Sequence, residues 1–262
     1  MEEDVVTLAA GFDEAPPPSR RDRLRAATKD EIIATARRLL VKDGPGSVTL
    51  RAIAREMGMT APGLYRYYSS HEDLIRHVIA GIFTELGDGI KQALCDVSDA
   101  FGVSASTEQH TAKLTAKMVA ACRAFRSWAL DHKDEFALIF GAPLPGIDDG
   151  RYDIADECAV QFAGVFFLLF LELWDKVPFP VPDPDQIDPG LLDQLARYRD
   201  LLGADVPAGA VLTFLRCWVL LYGAVSMEVF GHLSFALEDP EPFFSITLSD
   251  MAALVGLRYR LP

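Results

Sequence analysis

Apolar residues recur at helical spacing along nearly the whole chain, and no stretch of alternating apolar and polar positions long enough for paired strands appears. Ile32, Ile33, Ala36, Leu39 and Leu40 line one face of a first helix, with Lys42 in its last turn and Gly44 and Gly46 ending it. Leu50, Ile53, Ala54 and Met57 then fall at i, i+3, i+4 and i+7, a short second helix. Further helices are expected from Leu74 to about Leu94, Gln109 to His132, Glu135 to Phe140, Asp153 to Lys176, Pro189 to Leu202, Ala208 to Gly231 and Phe243 to Leu257. Ser-rich Val97–Glu108, the Gly-Pro stretch Gly141–Gly146 and the Pro- and Asp-rich stretch Pro178–Pro189 read as loops, the last an exposed connection. The pattern predicts an all-α fold.

One junction carries more information than the rest. Thr49 is placed to cap the helix over Leu50–Met57, and Gly58 supplies the positive φ of a tight interhelical turn. Thr60 can cap another short helix whose first turn holds Pro62, where a missing N–H costs nothing. That helix is expected to reach about Tyr68, where Ser69 and Ser70 stop it, and Ser70 with Asp73 has capping-box spacing ahead of Leu74, Ile75 and Val78. Two short amphipathic helices meeting at a glycine describe a helix-turn-helix. The outer side of its second helix carries Thr60, Ala61, Gly63, Tyr65 and Arg66, none of them acidic. Small residues let a backbone approach base edges in a major groove, while Tyr65 and Arg66 offer hydrogen bonds and contact with thymine methyl groups. An ordinary helical hairpin with aromatic filler is the alternative.

From Thr28 through Ile82 the tract resembles the N-terminal domain of the TetR family of bacterial regulators, on the pieces KDEIIATARRLLVKDGPGSVTLRAIAREMGMTAPGLYRYYSSHEDLI. The resemblance implies that the second helix of the motif is the recognition helix. Thr60, Ala61, Pro62, Tyr65 and Arg66 would then lie at bases, with Gly63 in close approach and Arg51 at the groove edge, while Thr49, Tyr67 and His71 would hold phosphates. Two departures matter: Ala61 cannot hydrogen-bond a base, and His71 stands where a lysine is common, giving a weaker, pH-dependent contact. Base preference is thus expected to lean on Tyr65, Arg66 and Arg51. The implied domain plan is an arm over 1–27, the helix-turn-helix domain over 28–78, and a larger helical ligand-binding and dimerisation domain over 79–262.

Taken whole, the charge opposes a nucleic-acid partner, because the 262 residues sum to −13. Between Arg20 and Ala80, however, 12 Lys and Arg face 7 Asp and Glu, a local +5, which leaves −18 for the remainder. A basic end and an acidic body orient a protein toward phosphates. Ahead of the first helix, Pro16–Pro18 precede Arg20, Arg21, Arg23 and Arg25, a composition that predicts a disordered arm. Such an arm either follows the minor groove or phosphates, or makes no specific contact.

Half of the residues are hydrophobic, so a sizeable core is expected. Cys95, Cys122, Cys158 and Cys217 have no metal-like spacing, which fits idle thiols in a reducing cytosol. Glu2, Glu3 and Asp4 occupy the place of a basic leader region, and the most apolar run, Phe162–Leu171, falls short of the roughly 20 residues of a membrane span. A core helix in a cytoplasmic protein is the expectation.

The C-terminal half has a second echo. Cys122–Gly141 and Phe214–Leu233 resemble the effector domain of TetR-like regulators named for a Trp, His, Gly signature, with Trp218 and Gly223 in place and Tyr222 at the histidine position. In such proteins the last two long helices pair with those of a second subunit. Leu212, Leu215, Val219, Tyr222 and Met227 supply an apolar stripe for that, beside the small Gly223, Ala224 and Ser226. The dimer residues expected are Leu215, Trp218, Tyr222, Gly223 and Met227. Phe125, Trp128, Phe136 and Phe140, together with Phe162, Phe166, Phe170 and Trp174 at four-residue intervals, either line a cavity for a small, mostly hydrophobic effector or simply pack the core.

Enzyme chemistry finds no foothold. The chain lacks GxSxG, Walker A, dinucleotide, HExxH and kinase patterns, and His132 with Asp131, Asp134 and Glu135 reads as a solvated charge cluster and not a metal site. No cofactor is expected. The function expected is a ligand-responsive repressor acting as a homodimer on a palindromic operator in double-stranded DNA. The alternative is a DNA-bound structural or partner-recruiting dimer without a ligand.

Overall fold

The computed structural model describes residues 19–102, 106–141 and 153–259, and among these every regular element is helical. Ten α-helices follow in order: α1 Arg20–Asp43, α2 Leu50–Glu56, α3 Ala61–Leu64, α4 His71–Phe101, α5 Thr107–Asp131, α6 Lys133–Phe140, α7 Ile154–Lys176, α8 Pro189–Leu201, α9 Ala208–Val229 and α10 Glu241–Leu254. A single turn of 3-10 helix precedes α2 and another precedes α8.

The N-terminal end departs from the sequence expectation. Residues 1–18 lie outside the described residues, but Arg20–Ala27 are helical and extend α1 by two turns. The cause is local: the Ser19 side chain accepts from the Asp22 N–H at 3.2 Å, while the Asp22 carboxylate accepts from the Ser19 N–H and hydroxyl. That reciprocal box satisfies amides that a frayed end leaves to water. At the other end Gly44, at φ +79°, closes α1 with its N–H on the Leu40 carbonyl.

The domain at this end is built on Ile32, Ala36 and Leu40 of α1, Ile53 of α2, Leu64 of α3 and Leu74 and Val78 of α4, all nearly inaccessible. Helix α4 does not stop there. It is 31 residues long in all, so its first turns belong to the small domain and the rest, through Ile82, Leu86 and Ile90, to the body. The loop expected from Val97 is accordingly shorter: α4 runs to Phe101, Gly102 ends it at φ +61°, and Ser106 caps α5. Residues 103–105 and 142–146 of the expected loops lie outside the described residues.

In the body, α4 packs most extensively on α7 and α5, with α9 against α5, α8 and α10. Helices α7 and α9 are long and apolar enough to cross a membrane. Here both are core helices, burying Phe162, Phe166 and Phe170 from α7 and Val211, Leu221 and Val225 from α9. The Pro-rich connection before α8 is not wholly exposed, because Phe179 and Ile187 turn inward. It also passes close to α9: a side chain at Gly209 would run into the Pro182 carbonyl.

Candidate nucleic-acid interface

Helices α2 and α3 form the expected capped pair. The Thr49 hydroxyl accepts from the Ala52 N–H and the Thr60 hydroxyl from the Gly63 N–H, each at 3.2 Å, and Gly58 makes the turn between them at φ +63°. The second helix is shorter than expected, with α-geometry only over Ala61–Leu64. Beyond it the chain tightens into i to i+3 turns, the Tyr67 N–H donating to the Leu64 carbonyl at 2.9 Å. The tightening carries Tyr68 into the core, where burial, together with the charges of Asp73 and Asp30, pushes its phenol up to about 12.

Burying Leu64 and Tyr68 leaves the opposite side to solvent. Thr60, Pro62 and Arg66 are exposed there, and Tyr65 is 55% exposed. Arg51 is exposed on α2. Ala61 and Gly63 are partly covered, and a side chain at Gly63 would press on the Thr60 hydroxyl at 3.2 Å.

Two expected phosphate ligands have other engagements. The His71 Nε2 is hydrogen-bonded to the Val48 carbonyl, so the imidazole ties the start of α4 to the strand of chain entering α2 and does not point freely outward. Tyr67 is half-buried beneath the Arg25 guanidinium, 5.7 Å from its ring centre. The start of α4 also refines the expected capping box. The Ser70 hydroxyl accepts from the Asp73 N–H, but the Asp73 carboxylate accepts from Ser69, backbone and hydroxyl, at 2.7 and 2.9 Å. Partial burial pushes the Asp73 carboxyl up, and these bonds, with His77 and Lys29 nearby, more than offset it, holding it below its ordinary value.

Sequence reasoning overlooked two groups of residues. On α1, Arg25 donates to the Arg66 carbonyl at 2.9 Å, and Lys29 lies 5.4 Å from the Tyr68 ring centre. Between the domains, Arg37 of α1 binds Glu85 of α4 and the buried Glu135 of α6, both at 2.6 Å, and Arg76 of α4 pairs with Asp153 at the start of α7 at 2.6 Å. The Arg37 hydrogen bond holds the Glu85 carboxyl below its usual range. Glu135 is not part of the solvated cluster expected around His132: it is 3% exposed. No sequence pattern pairs residues 98 positions apart, but the i, i+4, i+8 spacing of Arg21, Arg25 and Lys29 was visible.

The aromatic residues expected to line a cavity separate into distinct groups. Phe125, Phe136, Phe140, Phe162 and Phe166 form one packed cluster with Trp218, ring centres 4.9–6.2 Å apart. Trp128 instead stacks on His132, and Trp174 meets Phe179. An apolar cavity of about 40 Å³ does lie beside the cluster, but of the expected residues only Phe166 and Phe170 reach it. Met118, Cys122, Phe214, Cys217, Trp218 and Met251 complete much of its wall.

Helix α9 likewise divides the expected dimer residues. Trp218 faces inward because it shares the helix face of Phe214, Leu221 and Val225, and Tyr222, on the flank of that face, donates to the Phe140 carbonyl at 2.7 Å. The outer face carries Val219, Gly223 and Met227 at four-residue steps, with Leu215 partly buried at its edge, Val219 66% exposed and open space around Gly223.

Comparison with known proteins completes the description. Residues 32–78 match the sequence model of bacterial regulatory proteins, tetR family, and residues 118–251 that of the tetracyclin repressor-like C-terminal domain. The chain is 28% identical over 247 residues to the HTH-type transcriptional regulator Rv1816 of Mycobacterium tuberculosis, covering 90% of this chain and 95% of that protein, and equally to Mb1846 of Mycobacterium bovis. The crystal structure of SCO4313, described as a regulatory protein, superposes with a TM-score of 0.66 at 26% identity, covering 90% of this chain and all of that one.

Proposed function

The chain belongs to the TetR family of bacterial regulators, a family of DNA-binding transcription regulators and not of enzymes, and from that premise we propose that it is a ligand-responsive repressor that binds a palindromic operator as a homodimer. One observation carries the DNA-reading part. The capped α2–α3 unit exposes Thr60, Pro62, Tyr65 and Arg66 along a stretch, Thr60–Tyr68, that contains no carboxylate, with Arg51 exposed on α2. Arg66 and Tyr65 supply the base contacts, each good bidentate pair being worth roughly 1 to 3 kcal/mol of discrimination. Thr49, Ala61, Gly63 and Tyr67 bring the backbone close to the duplex. His71 contributes by fixing the Val48 carbonyl, and so the orientation of α2.

The unpartnered apolar face of α9, from Leu215 to Met227, supports the dimer, since a second copy would cover it and fill the space at Gly223. Two recognition turns related by that symmetry would meet half-sites about one DNA turn, 34 to 36 Å, apart. The effector is a small, mostly hydrophobic molecule, and Phe166, Phe170 and Trp218 are the residues of choice for holding it. A cavity of about 40 Å³ is far below the roughly 150 Å³ that accepts benzene, so binding must part α5, α7, α9 and α10. Helices α5 and α7 are the ones that clasp α4, and α4 enters the DNA-binding domain without a break. Ligand binding is thereby coupled to the spacing of the recognition turns. Inverting a 99:1 preference needs about 5.5 kcal/mol of differential affinity. The setting is cytoplasmic.

Fluorescence anisotropy with fragments of the source genome tests this reading. Salt-sensitive binding to particular fragments over random duplex, released by an apolar compound, is the expected outcome. Equal affinity for all duplexes refutes the sequence-reading role, and selective binding that no small molecule relieves leaves a dimer without an effector.

A further inference from the structure

The two extra turns of α1 stand apart from the reading unit in sequence but not in space. Arg21, Arg25 and Lys29 occupy one helix face at four-residue steps, and the inner two already touch the recognition turn: Lys29 over Tyr68, Arg25 over Tyr67 with a hydrogen bond to the Arg66 carbonyl. Arg21 lies one turn further out on that face, about 6 Å beyond Arg25 by the rise of an α-helix. Arg20 and Arg21 are exposed, and the Ser19–Asp22 box keeps these turns helical, so the guanidinium groups are carried on a rigid rod.

Resting on the reading proposed above, we infer that the first two turns of α1 are a second DNA-contacting element, in which Arg20 and Arg21 hold phosphates flanking the groove and Arg25 is a positioning residue for the recognition turn. Arg25 acts on base preference through another group. One guanidinium N–H donates to the Arg66 carbonyl at 2.9 Å and the guanidinium carbon lies 5.7 Å over the Tyr67 ring centre, so the turn cannot rotate away from the groove without breaking both contacts. A lysine keeps the charge and a donor but lacks the flat guanidinium face. Phosphate contacts made by Arg20 and Arg21 carry no base information and appear as salt dependence.

The experiment uses the full chain, an operator duplex enriched by the wild type from a random pool, and a scrambled duplex of the same composition, with anisotropy titrations at several salt concentrations. The Arg20→Ala/Arg21→Ala variant should weaken both duplexes alike and reduce the slope of log K against log salt by about 0.9 per contact, about 1.8 per subunit. Arg25→Ala should lose roughly tenfold in operator affinity while random binding falls much less, and Arg25→Lys should recover the random binding but not the preference. Unchanged salt slopes for the double variant overturn the phosphate role. Equal losses on both duplexes for Arg25→Ala, or full recovery by lysine, overturn the positioning role. Wild type that fails to distinguish the duplexes defeats the reading proposal instead, while the slopes on random duplex still decide whether these turns meet phosphate. Circular dichroism of each variant separates loss of contact from loss of the helix.

Discussion

Removing Arg37 should uncouple the DNA-binding end from the body and destabilise the protein at once. Its side chain is 22% exposed and holds Glu85, 46% exposed, and Glu135, 4% exposed, each at 2.6 Å. Arg37→Ala leaves the Glu135 carboxylate in the core without its cation. Breaking a buried pair in this way costs about 3 to 5 kcal/mol when both partners are sequestered. Since the Glu85 side of the bridge is open to solvent and contributes little, a loss of about 2 to 3 kcal/mol is expected. With a urea slope of about 1 to 3 kcal/mol/M, the unfolding midpoint should drop by about 1 M. Urea titrations of Arg37→Ala, Glu135→Leu and the double variant form a cycle that isolates the pair. The double variant should be less destabilised than the sum of the singles by about 1 kcal/mol or more. A loss under about 0.5 kcal/mol for Arg37→Ala, or strict additivity, would refute the idea that this pair fastens α1 to α6.

Three further outcomes follow from the body and from the start of α4. Phe125→Ala empties the centre of the aromatic cluster, where the ring is 0% exposed, and should cost about 3 to 5 kcal/mol in a thermal or urea melt. Burial pushes the Cys122 and Cys217 thiols up to about 12 and about 11, so iodoacetamide at pH 8 should modify exposed Cys95 rapidly and spare these two until the protein is denatured; rapid labelling of Cys122 in the native protein would mean that the cavity stands open. Asp73 is held below its ordinary value, so its contribution is present above the unfolded value and disappears as pH falls through the folded one. The stability difference between wild type and Asp73→Asn should therefore shrink below about pH 4, and a constant difference from pH 7 to pH 2 would contradict the capping role.

What was legible in the sequence was the local chemistry. Thr49, Gly58, Thr60 and Ser70 each act within a few residues of themselves, and each occupies the expected cap or turn. The helices of the body were legible for a similar reason, because their apolar faces repeat at the period of the helix. The expectation failed where a nearby cap competed with composition, as when Ser19 and Asp22 made a helix of Arg20–Ala27, the arginine-bearing end of the arm expected to be disordered. It also failed where tertiary geometry alone decides. The stripe Phe162, Phe166, Phe170, Trp174 is one face of α7, but that face meets the aromatic cluster at one end and the Pro-rich connection at the other, so only its middle pair, Phe166 and Phe170, reaches the cavity. Trp218 and Val219 are neighbours in sequence, yet one packs against the aromatic cluster and the other is exposed, and only the packing of α9 on its neighbours fixes which. The carbonyl that His71 binds lies 23 residues away, a contact no local pattern announces.

Selection from a fully randomised duplex pool, run side by side with the wild type and with Tyr65→Ala, tests the central claim most directly. The wild type should enrich a two-fold symmetric site. Tyr65→Ala should enrich the same site with one relaxed base position in each half, mirrored about the centre, because a 55% exposed ring on the recognition turn reads an edge and not the backbone. No enrichment by the wild type, or a variant that loses affinity equally across all sequences, would show that this surface does not read DNA.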